Sequence, residues 1–267
     1  MMNYSRLLFF GIFLLFQFVC ADEIVLPGRL SLYKPMYWIQ AVNDQYNHAD
    51  TKLGFGFKYQ IIEDLNLYGA YSEYLMWDRR EDSAPFRDIN HNPELFYRQD
   101  DPLNWLEYVD YGFFEHMSNG QAGDASRSID RRYIRFKTQP LNKVTPFFGI
   151  TENIAVEFKY FDYILGSISD NRDYNNYVAC CQLKLVMTQM LNFGILKDTE
   201  TYITITPGKN PKTIDFNKGS VEIGHVFNWE FWGLNPRIYL QAFNGYGENL
   251  LDYYHMQHAI RVGLIIF

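Results

Sequence analysis

The hydrophobic pattern of this chain has a period of two. Leu53, Phe55, Phe57, Tyr59 and Ile61 take one parity, while Gly54, Gly56, Lys58 and Gln60 take the other. Near the end His258, Ile260, Val262, Leu264 and Ile266 oppose Gln257, Ala259, Arg261 and Gly263, and Val221, Ile223 and Phe227 oppose Ser220, Glu222 and Gly224. Residues i and i+2 of an extended strand share a face, so each stretch predicts a strand with one apolar side. The pattern predicts strands near 32–43, 51–63, 65–78, 91–98, 105–116, 130–138, 150–162, 175–188, 190–206, 217–228, 235–245 and 256–267. Turn chemistry at Asn43-Asp44, Glu63-Asp64 and Asn142-Lys143 separates several of them. There is no internal repeat and no low-complexity tract.

A soluble sheet would alternate in the same way. Three features select a membrane barrel instead. Residues 7–19, LLFFGIFLLFQFV, follow Arg6 and precede Cys20-Ala21-Asp22, the layout of a secretory signal cleaved after Ala21. Tyr and Phe number 21 and 22, an aromatic load suited to lining two membrane interfaces. The chain also closes on Phe267 at the end of a predicted strand. Past Ala21 no window approaches twenty apolar residues, which excludes a helical membrane protein. The expected architecture is all-β: residues 1–21 a signal peptide and 22–267 one transmembrane antiparallel β-barrel of 12 strands, an even number as bacterial barrels have.

Charge and minor residue types narrow the chemistry further. A net charge of −7 without a basic stripe excludes a nucleic-acid binder. Arg79, Arg80, Arg131, Arg132 and Arg135 are expected in the lumen, in loops or at lipid headgroups. Cys180 and Cys181 are adjacent and, on a strand, would face opposite ways, so neither a disulfide nor a metal role is assigned. His48, His91, His225, His255 and His258 lack ligand spacing and read as interface or loop residues.

One stretch, Glu115 to Tyr133, carries candidate chemistry. His116 and Ser118 share a strand face, a polar loop follows Gly120, and Asp130 begins a segment that can return antiparallel beside His116. Nucleophile, base and orienting acid would then lie on two adjacent strands. Val109, Tyr111 and Phe113 hold the apolar parity, whereas His116 and Ser118 hold the opposite one. A lipid-facing site therefore requires a β-bulge between Phe113 and Glu115.

His116, Ser118, Asn119 and Gly120, followed by Ser126, Arg127, Ser128, Ile129, Asp130 and Arg131, resemble the paired signature of the outer membrane phospholipase A family. Ser83-Ala84-Pro85-Phe86-Arg87, Pro93-Glu94-Leu95-Phe96, Asp170-Asn171-Arg172-Asp173 and Tyr246 to Tyr253 also have counterparts there, so the likeness covers most of the mature chain. The resemblance implies a calcium-dependent phospholipase of A1/A2 type in the bacterial outer membrane, active as a homodimer on phospholipids and lysophospholipids. It implies Ser118 as nucleophile, His116 as base, Asp130 as orienting acid and Gly120 as oxyanion donor. For Ca2+ it implies Ser126, the Gln121 carbonyl, and Ser83 from a second subunit. Three positions depart from the family: Asp130 stands for its Asn, Ile129 for its Trp, and Gly123 occupies the place of an acid that some members use for a further calcium site. A site of that kind involving Asp124 or Asp170 is therefore not assigned. The competing reading is a catalytically idle barrel, either a small-solute channel or a structural protein.

Overall fold

The alternation closes into a ring. The computed structural model describes residues 28–42, 50–62, 64–142, 153–164, 171, 173–189, 196–210, 213–229 and 237–266. The expected signal peptide, the Asn43-Asp44 turn, Glu63, Lys143, Asp170 and Phe267 lie outside them. The strands are β1 (Leu30–Ala41), β2 (Thr51–Ile62), β3 (Leu65–Trp77), β4 (Phe86–Asp100), β5 (Leu106–Ser118), β6 (Ser128–Thr138), β7 (Leu141–Asn142), β8 (Asn153–Tyr163), β9 (Cys181–Thr188), β10 (Leu196–Lys209), β11 (Ile214–Trp229), β12 (Arg237–Gly245) and β13 (Gln257–Ile265). Apart from β7, each pairs antiparallel with its sequence neighbours. β1 joins β13, and β6 joins β8, closing a barrel of twelve long strands. β7 is a two-residue continuation of β6, resumed beyond Pro140, which has no N–H to give the ladder. Closure pairs the edge groups that lipid could not solvate.

All twelve expected strands are present, with shifted ends. β4 starts at Phe86 instead of 91 because its inward parity is polar, which hides the alternation: Asp88, Asn90, Asn92 and Glu94 are all buried. β9 starts at Cys181 instead of 175 because Tyr174–Asn176 curls into a 3-10 turn around the buried Tyr174. Cys180 therefore lies off the strand. Its Sγ rests 3.7 Å from that of Cys181 with both thiols free, and the expected opposite facing does not hold.

The outer surface is apolar, with Tyr59, Phe113, Ile134, Tyr160, Ile223 and Ile260 all exposed. The lumen is filled with charge. Glu115 is gripped by Arg131 (2.6 and 3.0 Å) and Lys159 (2.9 and 2.8 Å). Asp110 joins Arg98 and Arg135, and Glu94 takes Lys34 together with the Tyr33 and Tyr133 hydroxyls, all three at 2.8 Å. Arg131 and Arg135 thus face the lumen, while Arg132 is exposed and pairs with Asp162.

Buried charges in such networks are costly when one partner is removed. Glu115→Ala leaves Arg131 and Lys159 without their shared counter-charge and should cost about 3–5 kcal/mol. A drop in the urea midpoint of barrel unfolding is the measurement, and an unchanged midpoint would contradict this account.

Candidate active site

The strand that carries the site changes parity just before reaching it. Along β5 the partners on β4 run Phe96 to Gly112 and then Leu95 to Phe114, omitting Phe113. The partners on β6 run Gly112 to Tyr133 and then Glu115 to Arg131, so three residues of β5 advance against two of β6. This is the bulge expected between Phe113 and Glu115. Phe113 and Phe114 are 57% and 40% exposed, whereas Glu115 is 1% exposed. The extra residue lets an apolar exterior and an ionic interior share one strand and still turn His116 outward. Gly112 is required just before it, because a Cβ there would lie 2.3 Å from the Tyr133 ring.

Beyond the bulge, His116 stands opposite Asp130 and Ser118 opposite Ser128. His116 Nδ1 meets Asp130 Oδ1 at 2.6 Å, with the two side chains 33% and 30% exposed. The Phe114 ring stacks on the imidazole, centroids 6.1 Å apart and 6° from parallel. From the lumen side Asn92 Nδ2 donates to the His116 carbonyl at 2.9 Å, while Lys34 holds Asn92 Oδ1 at 3.0 Å. With Nδ1 turned to the carboxylate, Nε2 is the nitrogen left to face a substrate. Ser118 lies two residues along on the same face, and its Oγ accepts the Gly120 N–H at 3.2 Å. Gly120 takes φ +64, a left-handed conformation that favours glycine.

The loop after Ser118 is pinned by Asn119, which the sequence showed only as a motif letter. Asn119 is buried. Its Nδ2 donates to the Ala125 carbonyl at 2.9 Å, and its Oδ1 accepts from the Arg127 and Gln121 amides at 2.9 and 3.3 Å. Ser126 is half-buried and Gln121 exposed on this loop. Ser83 is exposed at the β3–β4 turn with φ +67, followed by Ala84 at φ +44; the Trp77 indole N–H donates to the Ala84 carbonyl. Two successive non-glycine residues in this region are strained, and strain of this kind gathers at functional loops. Among the described residues no three His, Cys, Asp or Glu side chains gather to hold a metal. The oxygen set implied by the resemblance is different chemistry, hydroxyl and carbonyl donors of the kind calcium accepts. Ile129 is fully buried in an aromatic cluster with Phe161 and Tyr174, so the family's Trp position remains a packing position. Gly123 and Asp124 form an exposed 3-10 turn.

The distant motif segments meet at this end of the barrel. Arg87 forms a two-pronged pair with Asp252 at 3.1 and 2.8 Å, and Asn90 and Asp88 accept the Leu250 and Leu251 amides. The Tyr253 hydroxyl donates to Asp173, and its ring lies under Arg127. Their remoteness in sequence, and the lack of any spacing signal, hid these scaffold roles.

A closed twelve-stranded antiparallel barrel with an apolar exterior, carrying an outward histidine–aspartate pair beside a serine, belongs to the class of bacterial outer-membrane barrels. Residues 30–266 match the family model described as Phospholipase A1, and the chain belongs to that family. It is 31% identical to a phospholipase A1 of Klebsiella pneumoniae over 236 residues, covering 86% of this chain and 73% of that protein. It is 30% identical to a putative phospholipase A1 of Neisseria meningitidis over 240 residues, 85% of this chain and 57% of the longer relative. In fold it resembles the outer membrane phospholipase of Salmonella typhi, a dimer with bound calcium, with a TM-score of 0.67, 23% identity, and coverage of 94% of this chain and 98% of that one.

If Asn119 holds the loop, Asn119→Ala should speed amide hydrogen exchange across residues 120–127 while lowering global stability by only about 1–2 kcal/mol. Unchanged exchange in that segment would remove Asn119 from this role.

Proposed function

We propose that this protein is a calcium-dependent phospholipase of A1/A2 type that hydrolyses acyl esters of membrane phospholipids and lysophospholipids by serine chemistry and acts as a homodimer. The observation that carries this reading is the His116–Asp130 hydrogen bond, placed outside the barrel on the same face as Ser118. A lumen crossed by ionic networks counts against the channel alternative.

Ser118 Oγ attacks the ester carbonyl while His116 Nε2 takes its proton. Asp130 holds the ring through Nδ1 and balances the imidazolium that forms. The oxyanion then competes for the Gly120 N–H that caps Ser118 Oγ at rest. His116 returns the proton to the departing alcohol oxygen, leaving an acyl-serine, and activates a water to release the fatty acid. Asp130 can fill the place of the family's Asn because either side chain presents an oxygen to Nδ1–H, and the carboxylate adds a counter-charge.

The Ser126 hydroxyl, the Gln121 carbonyl and the Ser83 hydroxyl of the partner subunit would hold calcium. Bound there, it supplies positive charge beside the developing oxyanion. One chain provides only part of this set, so hydrolysis waits on a second copy. The exposure of Ser83 at a strained turn supports its reaching a partner.

A fluorophosphonate probe should label the wild-type protein on Ser118, and Ser118→Ala should lose both labelling and ester hydrolysis in detergent with calcium. Full activity in that variant would defeat the proposal. Asp130→Ala should lower kcat by about 10²- to 10⁴-fold with the calcium midpoint unmoved, and the opposite pattern would make Asp130 a calcium ligand. Ser126→Ala should chiefly raise the calcium concentration needed; an unchanged requirement would remove it from the ligand set.

A further inference from the structure

A second histidine–carboxylate pair borders Ser118 on its other side. Glu73 of β3 stands directly opposite His91 of β4, and His91 stands directly opposite Ser118. Directly opposed residues hold their Cβ atoms about 4.5–5.5 Å apart, closer than the roughly 7 Å that separates residues i and i+2 of one strand. His91, expected to be an interface or loop residue, lies on β4 with its side chain 40% exposed and is the cross-strand neighbour of the serine.

The hydrogen bonds fix which side of this imidazole is free. His91 Nδ1 lies 2.9 Å from Glu73 Oε2 and 2.7 Å from the Tyr71 hydroxyl oxygen. Tyr71 gives its own proton to Glu73, so its oxygen accepts and Nδ1 carries a proton. Only Nε2 remains for other contacts. A Cβ built on Gly120 would lie 3.5 Å from it, so this nitrogen sits against the residue whose amide caps Ser118 Oγ. The charged and titratable groups around the ring are Glu73 and Tyr71 on β3, with His116 and its partner Asp130 beyond Ser118.

We propose that His91, held by Glu73 and Tyr71, is a catalytic residue that donates a hydrogen bond from Nε2 to the reacting ester oxygen on the Gly120 side of Ser118. In its doubly protonated form the ring presents Nε2–H at that point, with Glu73 as counter-charge. The two histidines divide the work: His116 moves the proton of Ser118, and His91 steadies the charge that appears on the carbonyl oxygen. A purely structural role fits poorly, since a partly exposed histidine–carboxylate contact contributes little to stability. Its place beside Gly120 supports the donor role because donors aimed at a developing oxyanion act mainly in the transition state.

This inference rests on the reading of Ser118 as nucleophile. The test is steady-state hydrolysis of a phospholipid in mixed micelles at saturating calcium, with wild type, His91→Ala, His91→Gln, Glu73→Gln and Ser118→Ala. His91→Ala should lower kcat by about 10²-fold with KM little changed. His91→Gln, whose amide can place a neutral N–H near the same point, should recover tenfold or more of that loss. Glu73→Gln, which keeps the shape but removes the counter-charge, should fall between wild type and His91→Ala. A kcat within twofold of wild type in His91→Ala, or equal losses in His91→Ala and His91→Gln, would overturn the proposal. An inactive Ser118→Ala beside a fully active His91→Ala would end this inference alone, whereas an active Ser118→Ala would end the serine mechanism itself.

Discussion

Glu115, held between Arg131 and Lys159 inside the barrel, is the contact on which the site depends. A carboxylate fixed to the lumen side forces its neighbour His116 to the outside, and Ser118 follows two residues later. The preceding part of β5 has the opposite requirement, since Asp110 must also reach inward to Arg98 and Arg135. Asp110 and Glu115 are an odd number of residues apart and cannot both face inward along a regular strand. The bulge at Phe113 and Phe114 resolves that conflict, and its two exposed rings sit where lipid is expected.

The interior charges and the outer site are mechanically connected. Glu94 holds Lys34, Lys34 holds Asn92, and Asn92 holds the carbonyl of His116. Phe114 steadies the same imidazole from the outside. A histidine fixed by a carboxylate at Nδ1, a ring stack and a gripped backbone has little orientational freedom left. A buried asparagine, Asn119, holds the loop beyond Ser118 through hydrogen bonds reaching to Ala125 and Arg127, and Arg127 adds bonds to the Asp124 and Ser126 carbonyls. Behind that loop, Arg127 and Tyr253 join it to the segments near Asp173 and Asp252.

Much of this was legible beforehand, though for unequal reasons. The twelve strands were visible because lipid-facing positions must be apolar, and at a period of two the signal repeats every second residue. The start of β4 was missed because Asp88, Asn90, Asn92 and Glu94 point into a polar lumen, where the apolar-to-polar contrast no longer marks an inside. The bulge was legible as a clash of parities. His91 was not legible, since nothing within its own strand indicates which residues stand across the ladder from it.

The sequence by itself determined the barrel, the strand count, the parity slip and the pairing of His116 with Asp130. The last three follow from short-range periodicity or from residues on consecutive strands, where an antiparallel return leaves few registers, while the barrel also needed the leader-like segment and the aromatic load. The tertiary structure decided what depends on the registers of several strands together: the row from Glu73 through His91 to Ser118, the meeting of Arg87 with Asp252, and the sharing of Glu115 between β6 and β8. Cross-strand neighbours are set by hydrogen-bond register and ring closure, and a one-residue shift would exchange every partner and every face.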